Sequence, residues 1–248
     1  MVYDLALYPA SGPGLGHLMR CMALAEWAVE LKARVIVCFA VADYPPLAWP
    51  CPVLYGRQEE AHVIIVDGSG PRVTHGDAVP GRWYVVDGPP VSEAYQTDAL
   101  GYIYPHFGAV PVHGFPTFVG PQWMPLRLPF QYEPLNEPRS SFAPASYRAP
   151  GSRGVKLEGM DAQDVRRTLS LASHAVVPAS TVAYEALASG CPVRLLRDIT
   201  PECDQVGAAM VAAGVATWDD SADALAMPAR HRYGVDGLGA KRLLEALL

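Results

Sequence analysis

The stretch Gly12-Pro13-Gly14-Leu15-Gly16-His17-Leu18-Met19-Arg20-Cys21 most constrains what this chain can fold into. It follows a short apolar run, Tyr3 to Tyr8, and opens an amphipathic segment reaching about Lys32. A strand, a glycine-dense turn and a helix, in that order, bring backbone N–H groups close to an anion. The glycines let the chain turn sharply and keep side chains away from a ligand. The order predicts His17 at the start of the helix, above the strand, with Arg20 one turn further along. A tight turn carrying a solvent-facing histidine satisfies the same pattern, so the other motifs have to decide.

The rest of the first half has the rhythm of an α/β protein. Leu18 to Leu31 reads as a helix with Leu18, Cys21, Met22, Ala25 and Val29 on one face. Arg34 to Phe39 is a continuous apolar run, as in a parallel strand buried on both faces. Val63 to Val66 leads into Asp67-Gly68, and Trp83 to Val86 into Asp87-Gly88. Open α/β sheets keep their ligands at the carboxyl ends of their strands. Asp-Gly is also an ordinary turn former, and that is the simpler reading of both aspartates.

Half of the 248 residues are hydrophobic, enough for one large or two small cores. The net charge of −6 argues against a broad nucleic-acid-binding face, while leaving room for a local basic patch. No run of eighteen apolar residues and no signal-peptide pattern occurs, so the chain reads as soluble and cytoplasmic. Five scattered cysteines without a C-x-x-C pair read as free thiols in a reducing compartment.

The middle of the chain changes character. Twelve of the 24 prolines lie between Pro89 and Pro150, which excludes long regular elements there. Tyr102 to Phe107 and Phe115 to Val119 remain possible as short strands. Pro138 to Leu157 holds no acidic residue but carries Arg139, Arg148, Arg153 and Lys156. That composition suits a linker, or a cationic flap over an anionic ligand.

The α/β rhythm then returns. Asp161 to Ser173 has helical spacing, and Ala175 to Val177 reads as a buried strand. Pro178-Ala179-Ser180-Thr181 opens an alanine-rich helix that closes at Gly190. Pro192 to Leu196 and Cys203 to Ala213 follow as strand and helix. Ser180 and Thr181 can cap their helix or, with its free N–H groups, hold a phosphate. Glu185, one turn inside, can accept hydrogen bonds from a ribose diol or simply face water.

Several motifs in fixed order then match a known pattern. They are Gly16-His17-Leu18-Met19-Arg20-Cys21, the stretch Gly120-Pro121 through Leu126-Arg127 to Phe130, and Val176 through Glu185 to Gly190-Cys191-Pro192. Gln205 and a closing Asp236-Gly237-Leu238-Gly239-Ala240-Lys241-Arg242 complete the set. In this the chain resembles, along its whole length, the UDP-sugar hydrolases of the pseudaminic acid pathway. These share the GT-B fold with the N-acetylglucosaminyltransferase that makes lipid II. The resemblance also shows departures. The family's first-strand arginine and acidic residue are absent, Ala179-Ser180 replaces a Gly-Gly, and the Pro-rich basic segment stands where half of the second domain would begin.

The expected fold is therefore α/β and GT-B-like: two Rossmann-like domains across a cleft, the C-terminal one abbreviated. Residues 1–130 would form the N-terminal catalytic and acceptor domain, 131–157 a basic linker or loop, and 158–248 the nucleotide-binding domain. The expected activity is glycosyl transfer from a nucleotide-diphosphate sugar, UDP-linked by the resemblance, to an acceptor hydroxyl. The acceptor is a small molecule, a glycan or a hydroxymethylated nucleic-acid base. A hydrolase in which water attacks, and a non-catalytic sugar-nucleotide-binding module, are the alternatives. His17 is the expected base, since a neutral imidazole takes a proton near neutral pH. Gly14, Gly16, Ser180, Thr181, Glu185 and, by the resemblance, Gln205 are the expected donor-binding residues. No cofactor beyond the donor, and no metal, is expected.

Overall fold

The computed structural model describes residues 2–9, 16–39, 47–55, 60–67, 82–85, 99–132, 145–146, 155–157, 159–220 and 233–248. The first half comprises β1 (Tyr3–Pro9), α1 (Gly16–Glu30), β2 (Val35–Phe39), β3 (Val53–Tyr55), β4 (Ala61–Asp67), β5 (Arg82–Val85), β6 (Ala99–Tyr104) and β7 (Thr117–Val119). Its seven strands form one sheet in the order β3-β2-β1-β4-β5-β6-β7, with every pair parallel. The order reverses between β1 and β4, and a doubly wound sheet opens its ligand crevice at such a point.

Alternation along the strands explains their unbroken apolar sequences. Leu5, Leu7, Val35, Val37, Val63 and Ile65 turn one face toward Leu18, Cys21, Leu24, Ala25 and Ala28 of α1. Ala6, Tyr8, Ile36, Cys38, Ile64 and Val66 form a second buried cluster from the intervening positions. Val29, expected on the buried face of α1, is exposed instead. The buried stripe runs through Leu18, Cys21, Ala25 and Ala28 at three- and four-residue spacing, which leaves Val29 one step off it.

The second half comprises β8 (Ala145–Ser146), β9 (Val155–Lys156), α2 (Ala162–Leu171), β10 (Ala175–Val177), α3 (Thr181–Ala188), β11 (Val193–Leu195), α4 (Pro201–Ala212), β12 (Thr217–Trp218) and α5 (Gly239–Leu247). Its sheet has the order β12-β11-β10-β8-β9, again all parallel, and reverses between β8 and β10. Residues 131–157, expected as a basic linker or loop, contain two short strands. β8 pairs with β10 and β9 with β8, so this stretch supplies two strands of the second sheet. Each is two residues long, one preceded by Pro144 and the other by Gly154, too short for any periodicity test to show. Arg139, Arg148 and Arg153 lie outside the described residues.

Two pieces cross the expected partition at 130 and 158. Phe107, Met124, Leu126 and Phe130 pack into the core of the second sheet. Conversely, Ala240, Leu243 and Leu244 of α5 join the core of the first. The closing Asp-Gly-x-Gly-Ala-x-Arg motif makes this return possible. Gly237 has φ +82°, and a Cβ there would collide with the Phe130 carbonyl; one on Gly239 would strike the Met124 carbonyl. Arg242 donates to the backbone oxygens of Gln122 (3.0 Å) and Gly234 (3.2 Å) and to Asp236 Oδ1 (2.9 Å), and pairs with Asp236 Oδ2. The motif is a clasp that locks the C-terminal helix against the segment joining the halves.

Candidate active site

The reversal point of the first sheet carries a buried polar group. Pro9 and Asp67 are register partners at the ends of β1 and β4, so the helix following β1 starts beside the carboxylate that ends β4. Asp67 is 0% exposed. Its Oδ1 lies 2.8 Å from Nδ1 of His17, the second residue of α1. One turn on, Arg20 donates through Nε to Oδ2 at 2.8 Å and through Nη2 to Oδ1 at 2.6 Å, a two-toothed charge-assisted contact. Arg20 is 2% exposed and the His17 side chain 12%, so the histidine alone of the three reaches toward the surface. Asp67, expected as a turn former, is thus the buried partner of both. The only sequence signal for this was its place at the carboxyl end of a strand.

The N-terminus of α3 faces the same place. A Cβ placed on Gly16 would lie 3.4 Å from Thr181 Oγ1 and 3.7 Å from Arg20 Nη1. The first residue of α1, the first of α3 and the buried guanidinium therefore converge. Thr181 is 5% exposed, and its hydroxyl has no hydrogen-bond partner among the described residues. Ser180 sits at the N-cap with extended backbone but makes no side-chain capping bond, contrary to the capping role open to it. By contrast Asp161 caps α2 by accepting from Asp164 N–H, and Thr200 caps α4 by accepting from Cys203 N–H. An uncapped helix start beside a buried hydroxyl with no partner among the described residues is suited to an anion.

The remaining expected residues divide. Glu185 is half-buried on α3, four residues after Thr181 and so on the same side of the helix. Burial pushes its carboxyl up to about 7, against the opposing pull of Arg127. Arg127 itself is held by Glu26 of α1, with Nε at 2.9 Å and Nη2 at 2.6 Å from Oε1, while Leu128 N–H donates to Oε2. Gln205 is exposed on α4. Gly14 and the rest of the glycine turn before Gly16 lie outside the described residues.

One junction had no counterpart in the sequence reading. After β6, His106 is 3% exposed and its Nδ1 lies 3.1 Å from the hydroxyl of Tyr184 on α3. Phe107 N–H donates to the same hydroxyl at 3.1 Å, and the Phe107 ring stacks on Tyr184. Tyr184, fully buried next to Glu185, thereby fixes α3 against the carboxyl end of the first sheet.

No family model and no curated protein sequence matches the chain. Solved structures do. The chain aligns over 100% of its length with 96% of the spinosyn forosaminyltransferase SpnP at TM-score 0.53 and 12% identity. It aligns over 100% with 94% of Phytolacca americana UGT2, complexed with UDP-2fluoro-glucose and pterostilbene, at TM-score 0.54 and 13% identity. LpCGTa in complex with UDP follows at TM-score 0.52, with 12% identity, 100% of this chain and 94% of that chain. At such identity the likeness speaks for architecture, and the architecture it shows is that of the GT-B glycosyltransferases, in a chain of only 248 residues.

Proposed function

We propose that this protein transfers a sugar from a nucleotide-diphosphate sugar to an acceptor hydroxyl. One observation carries the reading: the His17–Asp67 pair and the uncapped start of α3 with its orphan Thr181 hydroxyl meet at a single point between the two sheets. Breaking an anomeric carbon–diphosphate bond requires a base for the attacking hydroxyl and a cradle for the departing negative charge. In the Nδ1–H tautomer Asp67 accepts from His17, and chemistry at the imidazole runs through Nε2. Nε2 takes the acceptor proton as the acceptor oxygen bonds to the anomeric carbon, and the bonding pair leaves with the diphosphate. The helix start and the Thr181 hydroxyl are fixed before reaction and would stabilise that charge as it develops. Glu185 would accept from the ribose hydroxyls.

The UDP complex of LpCGTa and the UDP-2fluoro-glucose complex of UGT2 favour uridine diphosphate as the first donor nucleotide to try. The Gly16-His17 to Arg20-Cys21 motif favours a second reading, in which water replaces the acceptor and the protein is a UDP-sugar hydrolase. Incubation with a panel of UDP- and GDP-sugars, with and without candidate acceptors, separates the two by free nucleoside diphosphate. Release that depends on an acceptor supports transfer, and release without one supports hydrolysis. No release from any donor leaves only a sugar-nucleotide-binding module and contradicts the catalytic reading.

A further inference from the structure

Three atoms at the site form a closed triangle. Arg20 Nη2 lies 2.6 Å from Asp67 Oδ1, Asp67 Oδ1 lies 2.8 Å from His17 Nδ1, and Arg20 Nη2 lies 2.8 Å from His17 Nδ1. In a neutral imidazole, Nδ1 either carries the ring proton and donates or is bare and accepts. If it donates, Asp67 Oδ1 receives the bond and Nε2 is the basic nitrogen, but two N–H donors then stand 2.8 Å apart. If it accepts, it takes the second Nη2 hydrogen and Nε2 carries the proton, but two acceptors then stand 2.8 Å apart.

Each arrangement keeps the Arg20 Nε bond to Asp67 Oδ2 and leaves one like-with-like contact. Neither neighbour can turn away. Arg20 is pinned by its Nε bond, and Asp67 is the last residue of β4 and fully buried.

We propose that Arg20 is a positioning residue that competes with Asp67 for His17 Nδ1 and so divides the imidazole between two tautomers. The Nδ1–H form is the base required for attack. The Nε2–H form donates, and suits an anionic oxygen such as that of a bound diphosphate. Passing between them removes a proton from one ring nitrogen and returns one to the other, with no net change of charge. The catalytic consequence rests on the reading of His17 as the base, whereas the tautomer balance itself does not.

The test is nitrogen NMR of the full chain with 15N-labelled histidine, at a pH where imidazole is neutral. The His17 signals are identified by their loss in His17→Gln. Protonated and bare ring nitrogens resonate far apart, so the expected wild-type spectrum shows both His17 nitrogens at intermediate positions, or as two sets. Arg20→Lys keeps the charge but loses the fork, and should move His17 to the Nδ1–H form. Asp67→Asn should move it to the Nε2–H form, as replacing the aspartate of a triad selects the wrong tautomer. A wild-type spectrum with His17 in one tautomer alone overturns the proposal, whatever the variants show. Because no turnover is measured, this outcome is independent of whether glycosyl transfer is ever observed.

Discussion

Thr181 Oγ1 lies 3.4 Å from where a Cβ on Gly16 would stand, so the first turn of α3 rests on the first residue of α1. The hydroxyl is buried and makes no hydrogen bond among the described residues. An unpaired buried hydroxyl costs stability, and the proposed diphosphate would pair it. Thr181→Val should leave the protein as stable as the parent, or more stable by about 1 kcal/mol. It should also weaken UDP binding about tenfold, or about 1.4 kcal/mol. Calorimetric titration beside urea unfolding reads both. Unchanged affinity would show that the diphosphate lies elsewhere.

Glu185 gives the stability a pH dependence of defined sign. Its carboxyl is raised from 4.5 to about 7 by burial, so the folded state holds a proton that the unfolded chain has released. Stability is therefore lost as pH rises through the window from 4.5 to about 7, and the loss levels off above it. Glu185→Gln should remove this penalty, up to roughly 3 kcal/mol, as seen by urea unfolding at about pH 5 and about pH 8. The same substitution should weaken UDP binding most at the higher pH, where the ionised carboxylate is the better acceptor for the ribose hydroxyls. A variant whose stability follows the parent across the window would place Glu185 in water.

The clasp around Arg242 makes a separate claim about stability. Its guanidinium joins Asp236 to the backbone of Gln122 and Gly234, and its removal strips acceptors on three half-buried residues at once. Arg242→Met should cost about 2–3 kcal/mol. For a chain of this size that lowers the melting temperature by roughly 5–10 °C in scanning calorimetry. A shift under a degree would reduce the motif to its glycines.

The sequence shows most clearly what is local. The strands with continuous apolar runs and the helices at Gly16–Glu30, Thr181–Ala188 and Pro201–Ala212 were readable because burial on both faces, or on one stripe, leaves a periodic trace. β8 and β9 left none, since two residues cannot show a period. His17, Gly16 and Thr181 were readable from their places at helix starts. Their meeting was not, because it depends on how α3 of one sheet approaches α1 of the other. Asp67 looked like a turn residue because Asp-Gly ends many strands, and its burial against Arg20 is set by the β1–β4 pairing. The sequence singled out neither Glu26 nor Tyr184; each is known by what it holds, Arg127 in one case and the His106–Phe107 corner in the other.

The most direct test of the central claim compares the parent with His17→Gln, using whichever donor and acceptor the panel identifies. His17 stands at a helix start, partly exposed, with Asp67 Oδ1 2.8 Å from its Nδ1. Losing it should remove the base without disturbing the anion cradle. Turnover should fall by roughly 10²–10⁴-fold, the usual scale for a general base, while UDP affinity on the same samples changes less than about threefold. Near-parental turnover in His17→Gln would contradict the account, and would leave the His17–Asp67–Arg20 triangle as a structural ion pair.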